Sequence, residues 1–501
     1  MKKILLVNPN KWGRGITTIW IASHAGYLRQ QGYDCALFDC TFYSGWTDNE
    51  NAYNTANSQY KPTPYDELIC WNGSDVLVDL QKKVDDYCPD IIFSAALSSH
   101  IHGEGEYASI QYFHELISGI DTNATIVAGG LQPTADPAQT AVRFPKFDYL
   151  IAGESEHVLG NFAQALSQGV CDPDVPGLVR VSKGGKIGTL TKQPILKNLD
   201  CLGEYDYSLF DDQVFLRPYN GEVVRAVDYE LSRGCIYTCA YCVETVIQQY
   251  YGFGEASKRG ALLKPKAYLR AKTAERAFAE IRHLHQNYGV TLFRCQDTNF
   301  LTIPATTLKP LSDLVEASGL DIKLYIETRP EGVNESSVAL LKKLKVDGVG
   351  MGVEAADENY RQGNLHRYAD QDKIIRAFDL LHQNGIKATA YNVIGFPHQD
   401  EESILETIRL NIRLQPDNVT VAFYAPFIGT SLQRASASEG FFDDYVYSTD
   451  PQLRSSSAEG EGKVQMLSFY KKHFSYLVRN GLDALSRLKA NDIATPESAE
   501  R

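Results

Sequence analysis

The chain has 501 residues, 44% of them hydrophobic, and a formal charge of −13; that length exceeds one ordinary core and predicts at least two domains. So acidic a balance argues against a nucleic-acid backbone as main partner, because that binding is driven by clustered Lys and Arg displacing counterions. The opening MKKILLVNPN is too short an apolar run for a signal peptide or membrane span, so the expectation is a soluble, cytoplasmic protein acting on a small-molecule substrate, with no nucleic acid and no membrane.

Over residues 1–170 strand and helix patterns alternate. Short apolar runs occur at KILLVN (3–8), DCALFD (34–39), DIIFSAA (90–96), ATIVAGG (124–130) and FDYLIAG (147–153), each followed by an amphipathic stretch. This predicts an α/β chain that opens with a Rossmann-like, doubly wound parallel sheet, with ligands at the carboxyl ends of the strands. The polar, turn-rich stretch 44–67 interrupts the second crossover and reads as a surface excursion. Residues 171–226 read as a connector with a small hairpin at GLVRVS and KIGTL.

From 227 to 430 the alternation resumes. The strand candidates are VDYELS (227–232), TLFRCQD (291–297), IKLYIET (322–328), DGVGMGVE (347–354), IKATAYNVIGF (386–396) and NVTVAFYAPF (418–427). Six strand-helix units predict a partial (β/α)6 TIM barrel whose carboxyl end carries the site. Residues 431–501 read as a mostly helical tail, with one amphipathic helix near 464–489 and a polar end.

SRGCIYTCAYCVE (232–244) places Cys235, Cys239 and Cys242 directly after the first barrel strand. The other seven cysteines are scattered without framework spacing and are most simply reduced. Three thiolates on a four-iron cluster leave one iron without a protein ligand, open to a substrate or cofactor. A closed zinc site needs a fourth ligand, yet no His lies between His157 and His283, and Cys201 and Cys295 are distant. The spacing therefore favours a cluster. Tyr241 reads either as packing or as an aromatic shield beside it, and Glu244 as a helix-start carboxylate or a site residue. A non-catalytic iron-sulfur or zinc protein would need only these cysteines, and would leave the other strand-end motifs unexplained.

CIYTCAYC on the first loop of a six-unit βα barrel resembles the radical S-adenosylmethionine (SAM) superfamily. DTNF (297–300), ETRP (327–330), GVEAADENYRQGNLHR (352–367) and NVIGFPHQDEES (392–403) resemble the segments after its second to fifth strands. The resemblance implies a [4Fe-4S] cluster on Cys235, Cys239 and Cys242 whose open iron binds SAM, one electron then cleaving the sulfonium to a 5'-deoxyadenosyl radical. It makes Glu354 and Arg329 candidates for holding the ribose or methionine part of SAM, with a structural ion pair as the other reading. The Ile394-Gly395-Phe396 backbone becomes a candidate for the adenine. Asp297 would bind substrate or pair with Arg294.

A parallel sheet ahead of such a barrel resembles the cobalamin-binding subclass, with its methyltransferase-like members. The matching loops are NPNKWG (8–13), DCT (39–41), ALSSH (96–100), GGLQPT (129–134) and GESE (153–156), which make Asn10, Trp12, Thr41, Ser98, Ser99, Gly129, Gly130, Gln132, Gly153 and Glu154 candidate cobalamin contacts. There is no G-x-G-x-x-G or Walker loop in this part to suggest a nucleotide instead. Other cobalamin domains carry D-x-H-x-x-G after the first strand; here the same spacing holds Asn8, Asn10 and Gly13, so no histidine is expected beneath the cobalt from this loop. His100 and His102 are either corrin neighbours or ordinary loop residues.

The subclass implies methyl transfer from SAM through methylcobalamin to an unactivated carbon, or a phosphinate phosphorus, of a small metabolite, with an external electron donor of flavodoxin or ferredoxin type. The alternative within the subclass is a cyclisation, rearrangement or oxidation without methylation. A tRNA methylthiotransferase would need a second cysteine triplet at strand ends, which Cys35, Cys40, Cys70 and Cys88 do not supply.

Overall fold

In the computed structural model, residues 2–11, 19–47, 55–56, 58–95, 103–439 and 460–494 are described. The first sheet is built from β1 (Lys3–Asn8), β2 (Asp34–Asp39), β3 (Ile91–Ser94), β4 (Thr125–Gly129) and β5 (Tyr149–Ile151), all parallel, in spatial order β2-β1-β3-β4-β5. Their near-continuous apolar runs follow from burial on both faces by helices; Ile4, Leu5, Leu6 and Val7 are all fully buried. The hairpin expected in the connector forms as β6 (Leu178–Ser182) and β7 (Lys186–Ile187). It adds antiparallel to β5, extending the first sheet to seven strands.

The second sheet begins with the antiparallel pair β8 (Leu216–Tyr219) and β9 (Glu222–Tyr229). A short side pair follows, β10 (Ser232–Arg233) with β11 (Arg270–Ala271). Then come β12 (Leu292–Cys295), β13 (Lys323–Thr328), β14 (Val346–Glu354), β15 (Lys387–Ile394) and β16 (Asn418–Phe423), giving the order β8-β9-β12-β13-β14-β15-β16. The six parallel strands of the expected partial barrel are β9 and β12 to β16, and the sheet stays open between β8 and β16.

Side-chain caps set the starts of the covering helices. Thr273, Asn334, Asp370 and Asp400 each accept a backbone N–H from the first turn of Ala274–Tyr288, Glu335–Lys343, Gln371–Gln383 and Glu401–Leu414, satisfying donors that would otherwise be orphaned. Helix Gly460–Asn480 covers the last two strands: Leu467, Tyr470, Phe474 and Leu477 share a buried cluster with Ile394, Ile404 and Val419.

β14 carries glycine at alternate positions, so one of its faces has no side chains at 348, 350 and 352. A methyl at Gly348 would lie 2.8 Å from the Tyr325 ring, and one at Gly350 2.6 Å from the Tyr391 ring. Those rings lie across the strand, joined by a 2.7 Å hydroxyl–hydroxyl bond.

The surface excursion expected at 44–67 is for the most part exposed or half-buried where it is described, but it is anchored to the core at single residues. Tyr65 is fully buried in the cluster that holds Val214, Phe215 and Val227, and Gln59 is 3% exposed, its Oε1 accepting the N–H of Val421 at 3.1 Å. The reason is the open edge of β16: an unpaired strand edge must be satisfied, and a polar segment does that better than an apolar one. No described helix is long and apolar enough to cross a membrane.

Candidate active site

The loop after β9 is tied on all sides. Cys235 N–H donates to Glu244 Oε1 at 3.0 Å, and the Tyr268 hydroxyl donates to the same oxygen at 2.7 Å. Gln248 Nε2 donates to the carbonyls of Cys235 and Tyr237, both at 2.9 Å. Ala240 N–H donates to Leu365 O, and Leu432 N–H to Ala240 O. Glu244 is thus both the first residue of helix Glu244–Tyr250 and a brace for the first cysteine.

Cys235 and Cys239 are buried and Cys242 is half-buried, all three as free thiols. Burial pushes the Cys235 thiol up to about 12, with Glu244 and Cys239 adding to it, and raises Cys242 well above its ordinary value. Buried free thiolates together would be untenable, and metal coordination is what deprotonates such thiols. A zinc ion needs its ligands at about 2.0–2.3 Å, whereas an iron-sulfur cluster takes its thiolates at separate irons.

Two strand ends reach this loop. Arg329, directly after β13, is 6% exposed; its Nη1 donates to Cys239 Sγ at 3.6 Å and its guanidinium stacks 3.9 Å from the Tyr237 ring centroid. Its other partner is Glu331, whose carboxyl it holds below the usual range against the opposing effect of burial. Glu354 ends β14 in the left-handed region, φ +63°, at a register shift between β14 and β15. Its Oε1 accepts the Tyr241 hydroxyl at 3.0 Å and faces Arg367 Nη1 at 3.4 Å, while Arg367 Nη2 donates to Gly352 O at 2.6 Å. A non-glycine residue at positive φ costs of order 1–3 kcal/mol. The buried ion pair and hydroxyl bond hold it there, and only a glycine at 352 leaves room, since a methyl would lie 2.2 Å from Glu354 Oε1.

After β15, Gly395 N–H donates to Gln399 Oε1 at 2.7 Å and Ile394 O accepts Tyr424 N–H at 2.8 Å. Phe396, fully buried, packs against Tyr241, Tyr360 and Tyr424 with centroids 5.2–6.0 Å apart. Tyr241 therefore joins the aromatic wall to Glu354. Asp297 does not pair with Arg294, which instead lies 3.9 Å from Asp228. It accepts Ser232 N–H and Oγ–H, both at 2.6 Å, and Leu231 N–H at 3.1 Å, anchoring the strand end that leads to the cysteines.

At the carboxyl edge of the first sheet, Asn10 Nδ2 donates to Thr41 Oγ1 at 3.0 Å, and Thr41 and Asn8 both donate to the half-buried Asp39. Gly129 ends β4; Gly130, φ +115°, starts the short helix Leu131–Ala135 that carries the buried Gln132. Leu131 of that helix packs into one cluster with Val243, Val246 and Ile247 behind the cysteines. Gly153 N–H donates to Thr134 Oγ1 at 2.9 Å, and a methyl there would lie 2.6 Å from the Tyr251 hydroxyl. Trp12, Gly13, Ser98, Ser99, His100 and His102 lie outside the described residues.

The GESE loop meets the barrel through ion pairs. Arg233, two residues before Cys235, is 1% exposed and bonds Glu156 Oε1 at 2.6 Å and Glu230 Oε1 at 2.8 Å, with Glu154 at 3.6 Å; Glu154 also pairs with Arg270 at 2.8 Å. Burial alone would raise the Glu156 carboxyl, but Arg233 overrides it and holds it well below the usual carboxylate range. For Asp297 the balance goes the other way: burial outweighs its hydrogen bonds and pushes it up to about 7. Glu154 is thus engaged in joining the two sheets. Sequence reasoning missed Arg233, Arg270 and Glu156, although Arg233 lies two residues before the first cysteine of the motif and Glu156 closes the GESE motif. It also passed over Arg367, inside a segment it had singled out.

Residues 229–410 match the family model of the Radical SAM superfamily, so the half barrel with its three cysteines is a radical SAM domain, which implies a [4Fe-4S] cluster and SAM. The chain is 24% identical over 356 residues to the uncharacterized methyltransferase PH0819 of Pyrococcus horikoshii, covering 71% of each. It is 21% identical over 488 residues to the anaerobic magnesium-protoporphyrin IX monomethyl ester cyclase of Rubrivivax gelatinosus, covering 94% of this chain and 77% of that one. Its fold is similar to the radical SAM methyltransferase TsrM of Kitasatospora setae, solved with tryptophan and a SAM analogue, at a TM-score of 0.65, 17% identity, and coverage of 88% of this chain and 76% of TsrM. A second TsrM structure, holding cobalamin and a [4Fe-4S] cluster, matches at a TM-score of 0.60, 17% identity and coverage of 87% and 75%. The radical SAM resemblance expected from the motifs is matched by the family model over the half barrel, and the fold is similar to that of the methyltransferase TsrM, which binds cobalamin.

Proposed function

We propose that the chain is a cobalamin-dependent radical SAM enzyme, a methyltransferase acting on an unactivated carbon, or a phosphinate phosphorus, of a small metabolite. One observation carries the reading: the carboxyl edges of the two sheets meet, with the cysteine loop locked to the GESE loop through Arg233. Bound together, a [4Fe-4S] cluster, SAM and cobalamin would supply one-electron bond cleavage and a carrier for the methyl group.

Cys235, Cys239 and Cys242 would hold the cluster, with the Arg329 guanidinium against Cys239 offsetting its negative charge. Glu354, fixed by Arg367 and Tyr241, would take the hydroxyl or ammonium donors of SAM. Phe396, Tyr360 and Tyr424 form a wall that excludes water from the loop and would flank the adenine beside Ile394-Gly395. On the facing edge, Asn10, Thr41 and Gln132, with the backbone at Gly129-Gly130, offer amides and hydroxyls suited to the amide side chains of a corrin. None is an imidazole, so this part of the edge would hold cobalamin without a histidine ligand to cobalt. An external flavodoxin- or ferredoxin-type donor would deliver electrons.

The match to the cyclase over 94% of the chain is the ground for a second, weaker reading, a cobalamin-binding enzyme that cyclises, rearranges or oxidises its substrate without methylation. Anaerobically purified protein, reconstituted with iron, sulfide and hydroxocobalamin and supplied with SAM and reductant, separates the two. Equal amounts of S-adenosylhomocysteine and 5'-deoxyadenosine select the methyltransferase, and 5'-deoxyadenosine without S-adenosylhomocysteine selects the second reading. A protein that retains no corrin overturns both.

A further inference from the structure

The end of the half barrel opposite the cysteines holds a cavity of about 160 Å³, about the size that accepts a benzene-sized molecule. Asn418, the first residue of β16, and Asn220, in the turn before β9, mark it as the amino-terminal end, and the Asn418 amide donates to Asn220 at 3.1 Å across the seam of the open sheet. The glycine face of β14 sets its width, because the Tyr325 and Tyr391 rings that line it lie where side chains at 348 and 350 would be. Segment 59–63 forms its outer wall.

Two features give this cavity a preference. Lys61, Arg217 and Arg294 line it; the carboxylates nearby are bonded to the lining from behind, Asp228 to Arg217 at 2.8 Å, Glu327 to the Tyr391 hydroxyl at 3.1 Å and Asp347 to the Tyr219 hydroxyl at 2.7 Å. Gln59 also lines it, and its orientation is fixed, since Oε1 must accept the Val421 N–H. Its Nε2 is then a donor, buried with no hydrogen-bond partner. A buried unsatisfied amide costs about 1–3 kcal/mol, and an acceptor arriving in the cavity would satisfy it.

We propose that this cavity is a second binding site, for a small molecule carrying a carboxylate or phosphate on a short apolar body. The anion meets Gln59 Nε2 on a wall that also carries Lys61, Arg217 and Arg294, and the body lies against Tyr325 and Tyr391. None of the residues lining the cavity belongs to the cysteine loop.

The test is isothermal titration of the full-length, reconstituted protein with sodium benzoate and, separately, with inorganic phosphate. Saturable binding of either supports the site, and which one binds assigns the anion. Gln59→Glu keeps the acceptor for Val421 and replaces the donor by a negative oxygen, so binding weakens at least tenfold while the circular dichroism spectrum stays that of the parent. Arg294→Leu weakens it as well. Absence of saturable binding by both anions, or equal binding in the parent and in both variants, overturns the proposal.

Discussion

At the scale of single residues, the site is built from conformations and protonation states that would be unfavourable elsewhere. Glu354 sits at φ +63° and stays there because Tyr241, Arg367 and the bare Gly352 accommodate its carboxylate. Gly352→Ala is therefore expected to displace that carboxylate and to reduce SAM cleavage at least tenfold with the cluster absorbance kept; activity and spectrum measured on one preparation check this. Asp297 supplies a pH test. Its folded value of about 7 lies above the ordinary value of 3.8, so between those two values the folded chain binds more protons than the unfolded one. Stability contributed by this group is present below about pH 4 and is lost as pH rises towards 7. Asp297→Asn keeps an acceptor for Ser232, and denaturation midpoints measured from pH 5 to 7.5 are expected to show the variant gaining on the parent as pH rises.

At the scale of elements, the strands were legible because burial on two faces leaves unbroken apolar runs. KILLVN and DCALFD form strands with the expected bounds, whereas VDYELS covers the end of β9 and the start of β10, with Glu230 and Leu231 between them. What sequence could not show was who meets whom. Arg233 reads as an ordinary charge, yet it sits at the centre of Glu154, Glu156 and Glu230, carried there by β5's loop and by β9's end. The polar look of 44–67 likewise concealed Gln59 and Tyr65, because strand-edge satisfaction leaves no periodic signature. Removing one member of a buried ion network leaves the others uncompensated and costs about 3–5 kcal/mol. Arg233→Met is accordingly expected to lower the thermal midpoint and to increase proteolysis between the two sheets, both measurable on purified protein.

At the scale of the whole molecule, two α/β sheets turn their carboxyl edges towards one another. Ligand sites in such folds lie at those edges, so joining them puts the three-cysteine loop of one beside the loops of the other. The cysteine motif and the strand-end motifs were readable because each is short and local; the joint was not, since it depends on pairings between residues 77 apart, such as Arg233 with Glu156. The central claim is that Cys235, Cys239 and Cys242 hold a four-iron cluster with one iron left for SAM. Electron paramagnetic resonance of the reduced, reconstituted protein, recorded before and after adding SAM, tests it most directly. A [4Fe-4S] signal that changes on adding SAM, and is absent when the three cysteines are replaced by Ala, is the predicted result; a signal indifferent to SAM, or one that survives loss of the cysteines, would contradict it.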